Sequence, residues 1–148
     1  MSTHRATVQW SQSGESFAYE YYSRNHIWRI GDNKIHASAA PEYLGDPDHI
    51  DPEQAFVAAV ASCHMLTFLA IASRKRLKVE SYRDEAIGYM TKNDRGRLAV
   101  TRVELRPSIT FSPADAVSAT QLSAMHDRSH EECFIANSVT SDIVVLTD

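Results

Sequence analysis

The chain has 148 residues, 43% hydrophobic and 23% charged, which is enough for one soluble domain with a core of its own. A formal net charge of −4 and a sequence pI near 5.9 argue against a nucleic-acid partner, which would need a basic face to neutralise phosphates. Met1 to Arg5 leads into polar, strand-like sequence with no apolar signal core. The most apolar stretch, Ala55 to Ala72, is interrupted by Ser62, His64 and Thr67 and falls short of a membrane span. The expectation is a cytoplasmic protein without membrane or nucleic-acid partners.

The N-terminal third reads as strands. Val8 and Trp10 alternate with polar neighbours, Ser11-Gln12-Ser13-Gly14 supplies a turn, and Phe17, Tyr19 and Tyr21 line one face of a second strand. His26 to Ile30 and Lys34 to Ala39 flank Gly31-Asp32-Asn33, residues that tolerate the positive φ of a hairpin turn. Pro41 to Ile50 is an ordered loop. Asp51 then caps a helix, with Pro52 at the first helical position and Gln54 placed for a capping box, and the helix runs to about Arg76. Two long strands follow, Val79 to Thr91 and Leu98 to Phe111, joined through Asn93-Asp94-Arg95-Gly96. Ser112-Pro113 opens a second helix that carries Val117, Met125 and Cys133, and Asp142 to Leu146 is a closing strand. No repeat or domain boundary appears, so one α+β domain over residues 1–148 is expected.

The first helix has no wide polar face: Ala55 to Ala61 is followed by Leu66, Phe68, Leu69 and Ile71. A helix apolar nearly all round must be buried nearly all round. In so small a chain this calls for its own sheet on one side and a second subunit on the other.

Cys63 sits mid-helix in Ala61-Ser62-Cys63-His64-Met65, and Cys133 sits in His130-Glu131-Glu132-Cys133-Phe134. In a reducing compartment two cysteines are inert core residues, metal ligands or redox thiols rather than a structural staple. Redox chemistry needs a thiolate stabilised by a nearby cation, which attacks a peroxide O–O bond and becomes a sulfenic acid. A second thiol then condenses with that acid to a disulfide.

Asp51-Pro52-Glu53-Gln54, followed ten residues after Glu53 by Cys63 and later by His130-x-x-Cys133, resembles the OsmC/Ohr family of thiol-dependent peroxidases. The resemblance implies an intertwined α+β homodimer of antiparallel strands and buried central helices. It also implies that Cys63 is the peroxidatic residue and Cys133 the resolving one, and that Glu53 pairs with an active-site arginine. Arg24 is the chosen arginine and Arg29 the reserve. The implied substrates are organic hydroperoxides or hydrogen peroxide, recycled by a dithiol or lipoyl-type thiol reductant, with no cofactor and no metal. Phe134 stands where the family commonly has proline, and Tyr22 to Arg29 lacks the family's glycine-rich setting for the arginine. Glu53 and Cys63 are roughly 15 Å apart along a straight helix, so they can share a site only across two antiparallel central helices of a symmetric dimer.

Other readings compete. His130 and Cys133, spaced i, i+3, together with His126, Cys63 and His64, include zinc-ligand types, although adjacent Cys63 and His64 diverge by about 100° on a helix. A Cys–His hydrolase would pair Cys63 with His130 or His126 but shows no oxyanion-hole loop. A non-catalytic small-molecule binder would use Tyr19, Tyr21, Trp28 and Tyr43. His26, His36 and His49 read as surface or structural residues.

Overall fold

The computed structural model describes residues 1–147; Asp148, the last residue of the expected single domain, lies outside them. The chain divides into two compact units, 1–55 and 56 onward.

The first unit is a three-stranded antiparallel sheet, β1 (Thr7–Gln9), β2 (His26–Ile30) and β3 (Asn33–Ala37). Gly31, at φ +58, turns β2 into β3 as expected, though Asn33 already belongs to the strand and pairs with Ile30. The expected strand through Phe17, Tyr19 and Tyr21 is instead a turn, closed by the Tyr21 and Tyr22 amides donating to the Ala18 carbonyl. Aromatic packing decides this. Trp10, Phe17 and Tyr22 cluster with ring centroids 5.0–6.3 Å apart, a contact that an extended strand would not make. The loop from Pro41 to Ile50 is ordered by a bridge between Ala37 and Ile50 and by Gly45, where a Cβ would lie 1.6 Å from the Ala39 carbonyl oxygen.

Helix α1 (Pro52–Arg74) starts as read: the Asp51 carboxylate accepts the Gln54 amide (2.7 Å), and the Gln54 side chain accepts the Asp51 amide (3.1 Å). It stops two residues before Arg76, which turns left-handed (φ +60) while the Leu77 amide reaches back to the Ala72 carbonyl. By length and composition alone α1 is apolar enough to cross a membrane, a test that the core helix of a soluble protein also passes. Its buried residues, Val60, His64, Phe68, Ile71 and Ala72, include a histidine and face the core of the second unit.

In that unit the two expected long strands are each broken. β4 (Val79–Asp84) pairs with β7 (Pro107–Phe111), and β5 (Ile87–Lys92) pairs with β6 (Leu98–Leu105). At the break the Asp84 carboxylate takes the Arg106 amide at 2.7 Å, a bond that replaces ladder pairing. The closing strand β8 (Asp142–Val145) runs parallel to β6, so the strands are not all antiparallel. Helix α2 (Ala119–Glu132) begins seven residues after the expected Ser112 cap. Ser118 and Gln121 form a reciprocal capping box, while Ser112 and Asp115 are committed to Lys78, whose carbonyl and amide they engage.

Two apolar clusters hold the unit together. Val60, Val103, Leu105 and Ile143 join α1 to β6 and β8; Phe68, Ile71, Ala72 and Met125 join α1 to α2. Gly88 on β5 lets Val57 of α1 come close, since a Cβ there would lie 2.5 Å from its Cγ2. Within the chain α1 is not covered all round: Ala58, Ala59 and Ala70 are exposed, and Leu66 is 60% exposed.

Candidate functional site: a pair of thiols between two helices

Cys63 and Cys133, distant in sequence, meet in the second unit. Cys63 lies mid-way along α1 and is half-buried. Cys133 is the residue that closes α2 and is buried, with 1% of its surface exposed. The two thiols are close enough for Cys63 to act on the Cys133 pKa, and both are free. Burial pushes the Cys133 thiol up from its ordinary range, and the Cys63 thiol pushes it further; amide N–H groups of Ala136 and Ile135 oppose the rise. The Ala136 N–H donates to Cys133 Sγ at 3.4 Å. Cys133 is thus kept protonated beside a more accessible partner.

His64, next to Cys63 on α1, and His126 on α2 also meet between the two helices. Their rings stack at 5.3 Å with 9° between planes, and His64 Nε2 lies 3.0 Å from His126 Nδ1. Phe68 stacks on His126 at 4.6 Å. The sequence signal for the pair is the position of His64 among apolar residues, where a lone imidazole needs a partner. His126, one of the two bases considered for a hydrolase, is therefore bonded to another histidine, and His130 is exposed. Among the described residues no three His, Cys, Asp or Glu side chains gather as a metal site.

Arg24 and Glu53 belong to the first unit. Arg24 is half-buried: Nη1 donates to the Tyr22 carbonyl (2.5 Å) and Nη2 to the Tyr19 carbonyl (2.6 Å), with the guanidinium 3.6 Å from the Tyr22 ring centroid. It borders a cavity of about 320 Å³ with Trp10, Phe17, Tyr22, His26 and Ser38. That cavity uses other aromatics than the Tyr19, Tyr21, Trp28 and Tyr43 set. Glu53 occupies the first turn of α1, and among the described residues no ion pair joins it to Arg24 or Arg29. Arg29 is exposed on β2, opposite Thr7 and Lys34. Of the remaining histidines, His26 bonds the Arg24 carbonyl (2.7 Å) and Trp28 (2.9 Å), and His49 bonds Asp46 (3.1 Å).

Comparison with known proteins bears on these residues. The model of the OsmC-like protein family matches residues 45–148, which include both cysteines and Glu53. No match was found among curated proteins. Among solved structures, an OsmC-like protein of unknown function from Vibrio cholerae O1 biovar eltor is 45% identical over 100% of both chains, with a TM-score of 0.95. An organic hydroperoxide resistance protein from Legionella pneumophila is 20% identical, covering 99% of this chain and 96% of that one (TM-score 0.70). The organic hydroperoxide resistance protein OhrB of Bacillus subtilis is 14% identical over 99% and 98% (TM-score 0.69). The last two share the α+β fold.

Proposed function

Because the chain belongs to the OsmC-like family, we propose that it reduces hydroperoxides through Cys63 and Cys133. The observation that carries this reading is that the two thiols come together between α1 and the end of α2, one half-buried and one buried. In the first step the Cys63 thiolate attacks the terminal oxygen of ROOH. An S–O bond forms, the O–O bond breaks, and RO⁻ leaves as the alcohol after taking a proton, so that Cys63 becomes a sulfenic acid. Cys133 then attacks that sulfur. The S–O bond breaks, water departs with the Cys133 proton, and a disulfide remains. A dithiol of the cytoplasm restores both thiols and is itself oxidised by two electrons. Hydrogen peroxide and organic hydroperoxides both satisfy this chemistry.

In this proposal Arg24 supplies the cation that favours the Cys63 thiolate, and Glu53 orients it. Only two of the five guanidinium N–H donors are used by the Tyr22 and Tyr19 carbonyls. A second copy of the chain covers the open side of α1. The deciding experiment adds one equivalent of cumene hydroperoxide to reduced protein and counts thiols. Loss of two per chain, with cumyl alcohol formed in step, supports the reading; a chain that keeps both thiols overturns it.

A further inference from the structure

The two sulfurs are not equivalent, and the difference lies in the turn after α2. Cys133 is 1% exposed and receives the Ala136 N–H at 3.4 Å, whereas Cys63 is half-buried on the helix surface. Asn137 holds this turn. Its side-chain amide donates to the carbonyls of Glu131 (2.9 Å) and Cys133 (3.0 Å), and its backbone N–H also donates to the Cys133 carbonyl (3.0 Å). Ser138 adds a bond from its hydroxyl to the Phe134 carbonyl (2.6 Å). One side chain thus ties the Glu131 and Cys133 carbonyls at the end of α2 together, and it fixes the amides that face Cys133 Sγ.

Thiol–disulfide exchange runs faster when the attacked sulfur is accessible and the departing thiolate is stabilised. Access selects the direction here, since Cys63 is half-buried and Cys133 is 1% exposed, and the turn amides offset part of the rise that burial imposes on the Cys133 thiol. Resting on the Cys63–Cys133 disulfide of the peroxidase reading, we propose that the reducing thiol attacks Cys63 Sγ, that Cys133 departs as a thiolate onto the amides of its turn, and that Asn137 is the positioning residue for that departure. The incoming thiolate forms an S–S bond to Cys63. The Cys63–Cys133 bond breaks, and its electron pair stays on Cys133, which then takes a proton from water. The second thiolate of a dithiol closes on its own first sulfur and releases Cys63 as thiolate, leaving the reductant as a cyclic disulfide. While Cys63 carries the reductant, its thiol no longer raises the Cys133 pKa, so the amides oppose burial alone.

The test separates this proposal from peroxide chemistry by forming the disulfide in the full chain with diamide. Excess glutathione is then added, the reaction is quenched with N-ethylmaleimide, and peptides are mapped by mass spectrometry. Glutathione on Cys63 with maleimide on Cys133 is expected; glutathione on Cys133 overturns the proposal. In Asn137→Ala, reduction of the diamide disulfide by dithiothreitol should slow by about tenfold. In a Cys63→Ser background the same substitution should move alkylation of Cys133 to higher pH. An unchanged rate and an unchanged pH profile would overturn the role of Asn137. If that variant does not fold, the mapping in the unsubstituted chain still decides the direction of attack. Failure of diamide to form the disulfide overturns the proposal outright, whereas a disulfide formed by diamide but not by peroxide overturns only the peroxidase reading.

Discussion

His64 and His126 are bound to each other at 3.0 Å between stacked rings, both almost fully buried, in the contact between α1 and α2. One ring N–H serves that bond, which leaves His64 Nδ1 and His126 Nε2 without a hydrogen-bond partner among the described residues. Whichever tautomer is present, one of these atoms is a donor and the other an acceptor. Burial holds His64 down to about 4, with His126 and His130 adding to the effect, and burial lowers His126 as well.

Acid should therefore destabilise the second unit. An unfolded histidine titrates near 6.5, so between that pH and about 4 the unfolded chain binds protons that folded His64 refuses. Stability is fully present above about pH 6.5 and falls as the pH drops toward 4, by roughly 2–3 kcal/mol for this group. Urea midpoints measured at pH 7.5, 6 and 5 should decline in the natural chain. They should decline less in a His64→Leu/His126→Leu double variant, which removes both imidazoles together and leaves neither partner stranded. Parallel pH profiles for the two proteins would refute the assignment.

Cys63→Ser should reduce peroxide turnover to the uncatalysed rate. The loss should not come from unfolding, because serine is close to cysteine in volume and the position is half-buried; the stability change should stay within about 1 kcal/mol. Steady-state peroxide consumption together with a thermal melt separates the two causes. Wild-type turnover in this variant would remove the peroxidatic role of Cys63.

Cys133→Ser should behave differently. The first turnover survives because Cys63 is intact, but the sulfenic acid lacks its partner and advances to sulfinic acid under excess peroxide. Mass spectrometry after one equivalent should find a single added oxygen on the Cys63 peptide. Sustained turnover without that adduct would show that Cys133 does not resolve the intermediate.

Much of this was legible in the sequence, for identifiable reasons. The start of α1 was readable because Asp51, Pro52 and Gln54 act within one turn of backbone, where local chemistry decides. The start of α2 was misplaced because Ser112-Pro113 and Ser118-Gln121 both offer caps, and the choice depends on Lys78, which is remote in sequence. The turn at Phe17–Tyr22 was hidden because its aromatic alternation suits a strand, and only packing on Trp10 and Arg24 overrides it. Cys63 and Cys133 stood out through family resemblance. Asn137 and the His64–His126 pair did not, since each acts through contacts that residue type and spacing do not announce.

The exposed side of α1 leads to the last prediction, that the active protein is a homodimer. Ala58, Ala59, Leu66 and Ala70 present apolar surface to solvent on a helix that carries no charge between Glu53 and Arg74. Burying a side chain the size of Leu66 contributes roughly 1.5–3 kcal/mol, so a stripe repeated by symmetry on two copies gives a substantial driving force. Leu66→Glu places a charge on that stripe and should convert the dimer to monomer in light scattering at micromolar concentration. The unfolding midpoint of the natural chain should rise with protein concentration, and that of the variant should not. A natural chain that scatters as a monomer near 16.6 kDa with full activity would end this reading. If Arg24 reaches Cys63 of the other copy, mixing inactive Arg24→Ala chains with inactive Cys63→Ser chains should restore about a quarter of the natural activity. Half of the chains then pair across types, and each mixed dimer holds one intact site. No recovery, with mixed dimers demonstrated by mass, would place Arg24 and Cys63 of a working site on the same chain.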